Sequence, residues 1–218
     1  MARDTTRKAT LSSRISAELR EQILRGDLAP GEKINLDRLR EAYGISISPL
    51  REAVSRLVAD GLVSFEDQRG YTVTPISAAD LAEVTQLRGE LEVMALAASI
   101  AEGDLDWESR VMGAQYRLSR TAKAGSDWEA AHTEFHLALI SGCNRPRLLQ
   151  FCTVLRTQHD RYRRVLLSAG DSRRVDEEHA AIAEAAVQRE SARAQALLRA
   201  HIEATGAELR ALLQARAV

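Results

Sequence analysis

The sequence contains little of what builds disulfide-linked or membrane-embedded proteins. Only two cysteines occur, Cys143 and Cys152. No apolar run approaches the roughly 20 residues that a membrane-spanning helix needs, and the first ten residues lack the apolar segment of a secretory signal. The sequence therefore predicts a cytoplasmic protein without a membrane partner, in which both thiols stay reduced and serve as packing.

Aromatic residues are also scarce, at 4% of the chain, and the formal net charge is only −1. Few aromatics beside abundant Ala, Leu and Arg favour helices over sheets. A net charge so close to zero gives no electrostatic indication of a nucleic-acid partner, and residues 1–56 carry only a small excess of basic side chains. A case for DNA binding therefore has to come from the pattern of elements.

The first 45 residues predict two helices separated by a turn. Apolar residues recur at every fourth position from Leu11 to Ile23, which predicts a helix that ends at Gly26. After a Pro-Gly turn, residues 36–43 predict a short amphipathic helix that stops at Gly44. Two helices of this kind, followed by a third, are typical of a helix-turn-helix.

The next segment completes this unit with a third helix and a hairpin. Ser48 is the predicted N-cap of the third helix, Gly61 lies just past its end, and Arg51 and Ser55 share its polar face. Residues 62–75 predict two short strands around a polar turn, because they are rich in Val, Phe, Tyr and Thr. Three helices and a hairpin predict a winged helix-turn-helix, whose polar helix face meets the DNA major groove.

From Ser77 onward the pattern changes to long helices only. Pro75 marks the boundary, which gives a predicted DNA-binding domain at residues 1–76 and a helical domain at 77–218, and Ser77 with Asp80 forms a motif similar to a capping box. The predicted helices cover residues 78–101, 105–123, 127–141, 146–168, 173–189 and 191–216. The fold class is therefore mainly α, with an antiparallel helical bundle after the winged unit.

Four of the five histidines fall in the helical domain at suggestive spacings. His132 and His136 are four residues apart and so share one helix face, where two imidazoles can bind one cation. His179 and His201 lie among apolar residues on the following helices, which directs both toward the bundle core. The residues alone leave two interpretations open, a metal site or a set of hydrogen-bonded core histidines.

The segment from residue 36 to residue 77, with the helical remainder, resembles the GntR family of transcriptional regulators, and within it the FadR subfamily with its FCD effector domain. The resemblance rests on the order of helix, turn, helix, Gly-Leu-Val and hairpin in LDRLREAYGISISPLREAVSRLVADGLVSFEDQRGYTVTPIS. It implies DNA contacts from Arg38, Ser46, Ser48, Arg51, Arg69 and Gly70. Because Ile47 stands where relatives usually carry an arginine, and Asp37 where many carry a basic residue, the operator sequence cannot be transferred from them.

The resemblance also implies a divalent metal ion in the helical domain. Many FCD domains bind the metal through one Asp and three His, and His136, His179 and His201 match three of those positions. His132 stands where the Asp is usual. Four imidazoles favour zinc or nickel, and they leave the full charge of the ion to attract an anion. The alternative is that no metal binds and the histidines hold a carboxylate directly.

Several arginines are candidates for an anionic effector. Relatives often carry an Arg and a Glu at the positions of Arg88 and Glu92, where Arg88 either clamps an effector carboxylate or forms a helix-surface ion pair with Glu92. Arg161 and Arg163 either line the same pocket or face water. Together with His132 and the run SGCNRPRLLQ, the Arg-Tyr-Arg triplet resembles the carbon-starvation-induced branch of the family. This branch implies a short organic acid, for example the dicarboxylate glutarate.

Two other classes of function compete with a regulator. A zinc hydrolase would use the His-x-x-x-His motif, but Thr133 follows the first histidine where a catalytic Glu is required, and Glu134 points away from His132. A DNA-binding protein without a ligand would fill its interior with apolar side chains rather than histidines. The preferred interpretation is a non-enzymatic repressor that binds a palindromic operator as a homodimer and responds to its effector.

Overall fold

The structure is a computed structural model that describes residues 10–123, 125–166 and 175–216. The chain divides into two compact units, Met1–Ile76 and Ser77–Val218. The fold class predicted from the sequence is confirmed, since a small winged unit precedes a helical one. No helix within the described ranges is long and apolar enough to cross a membrane.

The first unit is a three-helix winged structure with a small antiparallel sheet. Its elements are listed in chain order: α1 (Leu11–Arg25), β1 (Lys33–Ile34), α2 (Leu36–Tyr43), α3 (Ile47–Ala59), β2 (Val63–Glu66) and β3 (Gly70–Val73). Strand β3 lies between β2 and β1, with Phe65 opposite Tyr71 and Lys33 opposite Thr72. The sequence does not predict β1, because two residues are too few to show an alternating pattern.

The helix ends follow from the glycines, with one correction at α3. Gly26 and Gly44 adopt φ values of 82° and 62°, the left-handed conformation that ends a helix. Ser48 is not the N-cap of α3, because the extended residue before the first turn is Ser46. This register puts Pro49 in the first turn, where a missing N–H leaves no hydrogen bond unmade.

Apolar side chains from all three helices form the core of the first unit. Leu19 and Ile23 of α1 pack with Leu50 and Leu57 of α3, and all four are almost fully buried. Val73 joins them from β3, so the wing is attached to the same core. The polar face of α3 is left exposed by this packing, because its apolar stripe points inward.

The second unit consists of long helices: α4 (Ala78–Glu102), α5 (Leu105–Arg120), α6 (Ser126–Ile140), α7 (Pro146–Leu166), α8 (Val175–Val187) and α9 (Ser191–Arg216). Helix α5 ends three residues before the predicted position 123, since Thr121 already has an extended backbone. The predicted end of α7 at 168 and start of α8 at 173 lie outside the described residues. Helix α4 packs against α9, α7 and α6.

A close contact between α4 and α9 sets the packing of the bundle. Gly206 of α9 lies directly against the side chain of Thr85 of α4, and a Cβ atom at residue 206 would overlap the Thr85 methyl and hydroxyl groups. The Thr85 hydroxyl donates a 2.6 Å hydrogen bond to the Leu81 carbonyl oxygen, which fixes its rotamer. The two helices therefore cannot accept even one methyl group here without moving apart.

We expect Gly206→Ala to lower the free energy of unfolding of the second unit by about 1–3 kcal/mol, because it overpacks this contact. Thermal denaturation measures the effect. Adding Thr85→Ala should recover part of the loss by removing the methyl and hydroxyl groups. Gly113→Ala is the matched control, since a Cβ there meets only the end of Arg117 at 3.6 Å. A Gly206→Ala variant as stable as the Gly113→Ala control would contradict the packing described here.

Candidate functional site

Four histidines from three helices converge in the second unit. His132 and His136 lie one turn apart on α6, His179 lies on α8, and His201 on α9. One potential ligand atom from each lies within 4.8 Å of those of the other three. All four side chains are buried. The structure thus brings together the four residues that the sequence nominated as ligands, which we call the histidine cluster.

Neighbouring side chains hold these rings in position. The Nδ1 atom of His201 lies 2.7 Å from the Glu178 carboxylate, which fixes the orientation of the ring. Trp128 stacks on His132 with ring centroids 4.8 Å apart. Both ring nitrogens of His136 and the Nδ1 atom of His132 lack a hydrogen-bond partner among the described residues. Buried ring nitrogens without protein partners are the donor atoms that a ligand of the cluster would engage.

The electrostatic environment keeps the imidazoles neutral. Burial lowers the pKa of His132 well below its usual value, and the charge of Arg163 lowers it further. Burial likewise lowers the pKa of His136, with Arg156 as the next largest cause. The neutral form is the one whose lone pair binds a metal ion. The donor set therefore fits a divalent cation that accepts four nitrogen ligands, such as zinc.

An ion pair within α4 lies beside the histidine cluster. The Nε atom of Arg88 donates to Glu92 Oε1 over 2.7 Å, and both side chains are at most 3% exposed. Glu92 Oε2 is 3.7 Å from His136 Nδ1. The surface ion pair considered from the sequence is therefore wrong, because both charges are buried. Burial raises the pKa of Glu92, but Arg88 and Arg156 outweigh this effect, so the net shift is downward.

Helix α7 contributes a second row of buried polar groups. Arg156, His159, Asp160 and Arg163 are all buried there, although none of the first three was nominated from the sequence. With Arg88 and Glu92 they form what we call the charged layer. Charges recurring every three or four residues ordinarily indicate a solvated helix face, so the sequence spacing of these residues gave no signal of burial.

The members of the charged layer differ in how well they are paired. Arg163 donates to both oxygens of Glu129, over 2.8 Å for one of these bonds. Arg88 Nη1 lies 3.0 Å from His159 Nδ1, so that nitrogen must be the acceptor. Burial lowers the pKa of His159, and Arg88 lowers it further, consistent with a neutral ring. Arg88 and Arg163 are thus engaged with protein partners.

The other predicted effector ligand, Arg161, lies in a different environment. It is buried, and its charge interacts with Tyr162 and Asp80. Tyr162 itself joins α7 to the start of α4. The Ser77 N–H donates to the Tyr162 hydroxyl over 3.0 Å, and that hydroxyl donates to Asp80 Oδ2 over 2.6 Å. A tyrosine from α7 therefore completes the cap of α4, a role that a local Glu would fill in a capping box.

The predicted DNA-contacting residues lie on the surface of the first unit. Arg38 is exposed on α2, Ser46 and Ser48 are exposed at the start of α3, and Gly70 begins β3 with φ at 80°. Arg69 is exposed at the tip of the hairpin and pairs with Glu66 at 3.0 Å. The side chain of Arg51 is exposed on α3 and forms no hydrogen bond or ion pair with any described residue. It is therefore available to an external partner.

A winged helix-turn-helix followed by a helical domain with a buried histidine cluster is typical of one class of DNA-binding transcription regulators. The comparison with protein families gives the particular family. Residues 11–73 match the bacterial regulatory proteins of the gntR family, and residues 83–204 match the FCD domain. The chain belongs to the GntR family and carries an FCD domain.

Named regulators are similar over most of this chain. The regulator BphR of Paraburkholderia xenovorans strain LB400 is 39% identical over 196 residues, which cover 86% of this chain and 80% of BphR. The transcriptional repressor GlaR of Escherichia coli strain K12 is 33% identical over 195 residues, which cover 84% of this chain and 89% of GlaR. Both are helix-turn-helix transcriptional regulators.

Solved structures share the fold. McbR/YncC of E. coli superposes with a TM-score of 0.78 at 23% identity, covering 93% of this chain and 98% of that one. A GntR-type regulator from Rhodococcus sp. RHA1 gives a TM-score of 0.74 at 25% identity, with 91% and 96% coverage. These likenesses support the order of a winged unit and a helical FCD domain in one chain.

The family identifies this chain as a transcription regulator rather than an enzyme. The geometry agrees with this assignment, because a zinc hydrolase would require a catalytic glutamate beside the histidines. Glu134 is the acid nearest to His132 and His136 in the sequence, but its side chain is exposed. Its carboxylate accepts hydrogen bonds from Arg117 instead, and the distance from Arg117 Nε to Glu134 Oε2 is 3.1 Å. The prediction that Glu134 points away from the histidines is therefore correct.

We expect Glu92→Gln to lower the free energy of unfolding by about 3–5 kcal/mol, because it leaves the buried Arg88 cation without its counter-charge. Chemical denaturation of the metal-free protein measures this loss. The matched control is Glu90→Gln, the same change at an exposed position on the same helix. Replacing both partners, Arg88→Met with Glu92→Leu, should recover much of the stability. Equal stability of Glu92→Gln and Glu90→Gln would contradict the buried ion pair.

Proposed function

We propose that this regulator is a repressor that binds a palindromic operator as a homodimer and changes its DNA affinity when its FCD domain binds an organic acid beside a metal ion. The observation that carries this proposal is the convergence of four buried histidines next to a buried layer of arginines. A bundle with only a structural role would bury apolar side chains here, because each buried polar ring without a hydrogen-bond partner lowers the stability of the fold.

The metal part of the proposal rests on the histidine cluster. His132, His136, His179 and His201 would hold the ion, and four nitrogen donors suit zinc or nickel better than magnesium or calcium. The Glu178 carboxylate supports this assignment, because metal-binding histidines commonly donate their second nitrogen to a carboxylate. The ion would supply positive charge for an anionic ligand, since the four imidazoles carry none to offset it.

The effector part rests on the charged layer. We propose that Arg88, Glu92, Arg161 and Arg163 shape the site for a small organic acid, with Glu92 3.7 Å from His136 and the charge of Arg163 acting on His132. Similarity to the carbon-starvation-induced branch favours a short dicarboxylate such as glutarate. Glu92 has an indirect role, because it orients Arg88 through their 2.7 Å hydrogen bond.

The DNA part rests on the exposed faces of α2, α3 and the hairpin. We propose that Arg38, Ser46, Ser48, Arg51, Arg69 and Gly70 contact the operator. A single winged unit covers one half-site, so two copies of the chain would match a palindrome. Regulation then requires that the effector binds the DNA-competent and DNA-free arrangements with different affinities. Because the operator is chromosomal DNA, we propose that the protein acts in the bacterial cytoplasm.

For the metal ion, we expect chelator-treated protein to gain thermal stability when zinc or nickel is added. At a free ion concentration of about a hundred times Kd, the gain is about 2.7 kcal/mol. Metal analysis should give one ion per chain. His136→Ala should lose both the bound ion and the stabilisation, whereas the exposed Glu134→Gln on the same helix should keep them. Equal metal content in the wild type and His136→Ala would exclude the histidine cluster as the site.

For DNA, we expect Arg51→Ala to weaken binding to a duplex selected from a random library by about 1–3 kcal/mol, the range for a bidentate arginine contact with a guanine. Titrations at several salt concentrations separate a base contact from a phosphate contact, because loss of a phosphate contact also lowers the salt dependence. The control is Arg110→Ala, which removes the same charge from an exposed position on α5. Unchanged affinity of Arg51→Ala would remove Arg51 from the interface.

A further inference from the structure

We infer that Arg156 is the anchor for one carboxylate of a dicarboxylate effector, whose other carboxylate binds at the histidine cluster. The inference rests on the proposed function of the FCD domain as a metal-dependent organic-acid sensor. It assigns the decisive contact to a residue that neither the sequence pattern nor the comparisons single out.

Three guanidinium groups belong to the charged layer, and two of them are already engaged. Arg88 uses Nε and Nη2 on Glu92 and Nη1 on His159. Arg163 uses both terminal nitrogens on Glu129, and its Nε atom lies 3.6 Å from Asp160. Nε of Arg163 has no hydrogen-bond partner among the described residues, but a carboxylate that needs two adjacent nitrogens of either group would have to break at least one hydrogen bond within the protein, which would cost binding energy.

Arg156 differs from both of them. Its side chain is 3% exposed, yet Nη1 and Nη2 form no hydrogen bond with any residue that the structure describes. Its nearest acid is Asp160, 4.0 Å from Nη1, which is beyond hydrogen-bonding distance. Two terminal nitrogens that stay open in the interior are costly to bury without a partner. Their parallel N–H groups match the two oxygens of a carboxylate.

Arg156 is also adjacent to the proposed metal site. Glu92 lies between the two: its Oε2 atom is 3.7 Å from His136 Nδ1, and its charge interacts with that of Arg156. The proposed effector would lie between the histidine cluster and Arg156. One end of that molecule would meet an ion that four neutral ligands leave fully charged, and the other end would meet an arginine. Two separate positive groups call for two anionic groups on the ligand.

The test compares dicarboxylates with a monocarboxylate on the zinc-loaded, full-length protein. Isothermal titration with succinate, glutarate and butyrate gives the affinity of each acid for the wild type, Arg156→Met and Arg156→Lys. We expect Arg156→Met to lower the affinity for the better dicarboxylate about tenfold or more and the affinity for butyrate less than about threefold. The reason is that only the dicarboxylate loses a pair of charge-assisted hydrogen bonds. Arg156→Lys should fall between the wild type and Arg156→Met.

Controls separate this contact from a structural role. Arg156→Met should keep its metal content. Its melting temperature without ligand should fall, because the buried Asp160 carboxylate loses the cation 4.0 Å away, and Arg156→Lys, which keeps the charge, should melt closer to the wild type. Arg147→Met, an exposed position on the same helix, should bind all three acids like the wild type.

The outcomes distinguish the inference from the proposed function. If the wild type binds the dicarboxylates and Arg156→Met binds them equally well, or loses dicarboxylates and butyrate to the same extent, the assignment of Arg156 is overturned while the sensor function stands. Loss of zinc from Arg156→Met also overturns it. If no acid binds the zinc-loaded wild type, the proposed effector function fails, and the assignment fails with it.

Discussion

The ion pair between Arg88 and Glu92 is buried in the middle of α4, and the arrangement of the FCD domain depends on it. A charge removed from water is tolerated only where opposite charge and hydrogen bonds surround it. Glu92 meets this condition through Arg88 and also approaches His136 to 3.7 Å, while the remaining nitrogen of Arg88 is occupied by His159. The pair therefore connects α4 to α6 and α7 by polar contacts, where apolar packing alone would not fix the side chains in one orientation.

This constraint explains how a cluster of cation ligands can exist among arginines. Nearby positive charge lowers the pKa of His132 and His136 beyond the effect of burial, so these rings stay neutral and keep a lone pair available. The same arginines make the region attractive to anions. The proposed divalent ion and organic acid would complement each other here, because the negative charge of the acid would offset the repulsion between the ion and the guanidinium groups.

The sequence predicts the helices well because each has a strong apolar period and is ended by glycine, proline or a clear cap, as at Gly26 and Gly44. The same approach could not identify Arg156 and Asp160, since charged residues at helical spacing indicate exposure unless a ligand site reverses the rule. Strand β1 is too short to leave a pattern, and the N-cap at Ser46 depends on backbone conformation that two nearby serines make ambiguous. The histidine cluster was predictable because the family resemblance favours a metal site, whereas the spacing of the histidines alone leaves a metal site and hydrogen-bonded core histidines both open.

Tyr162 gives the first turn of α4 an unusual dependence on a distant part of the chain. Its hydroxyl satisfies the Ser77 N–H and binds the Asp80 carboxylate, but it extends from α7, the helix that also carries Arg156 and Arg163. Any rotation of α7 that withdraws this hydroxyl leaves an amide of the linker-proximal turn open to solvent exchange. Fraying of this single turn, which directly follows the DNA-binding unit in the chain, is therefore linked to the position of α7.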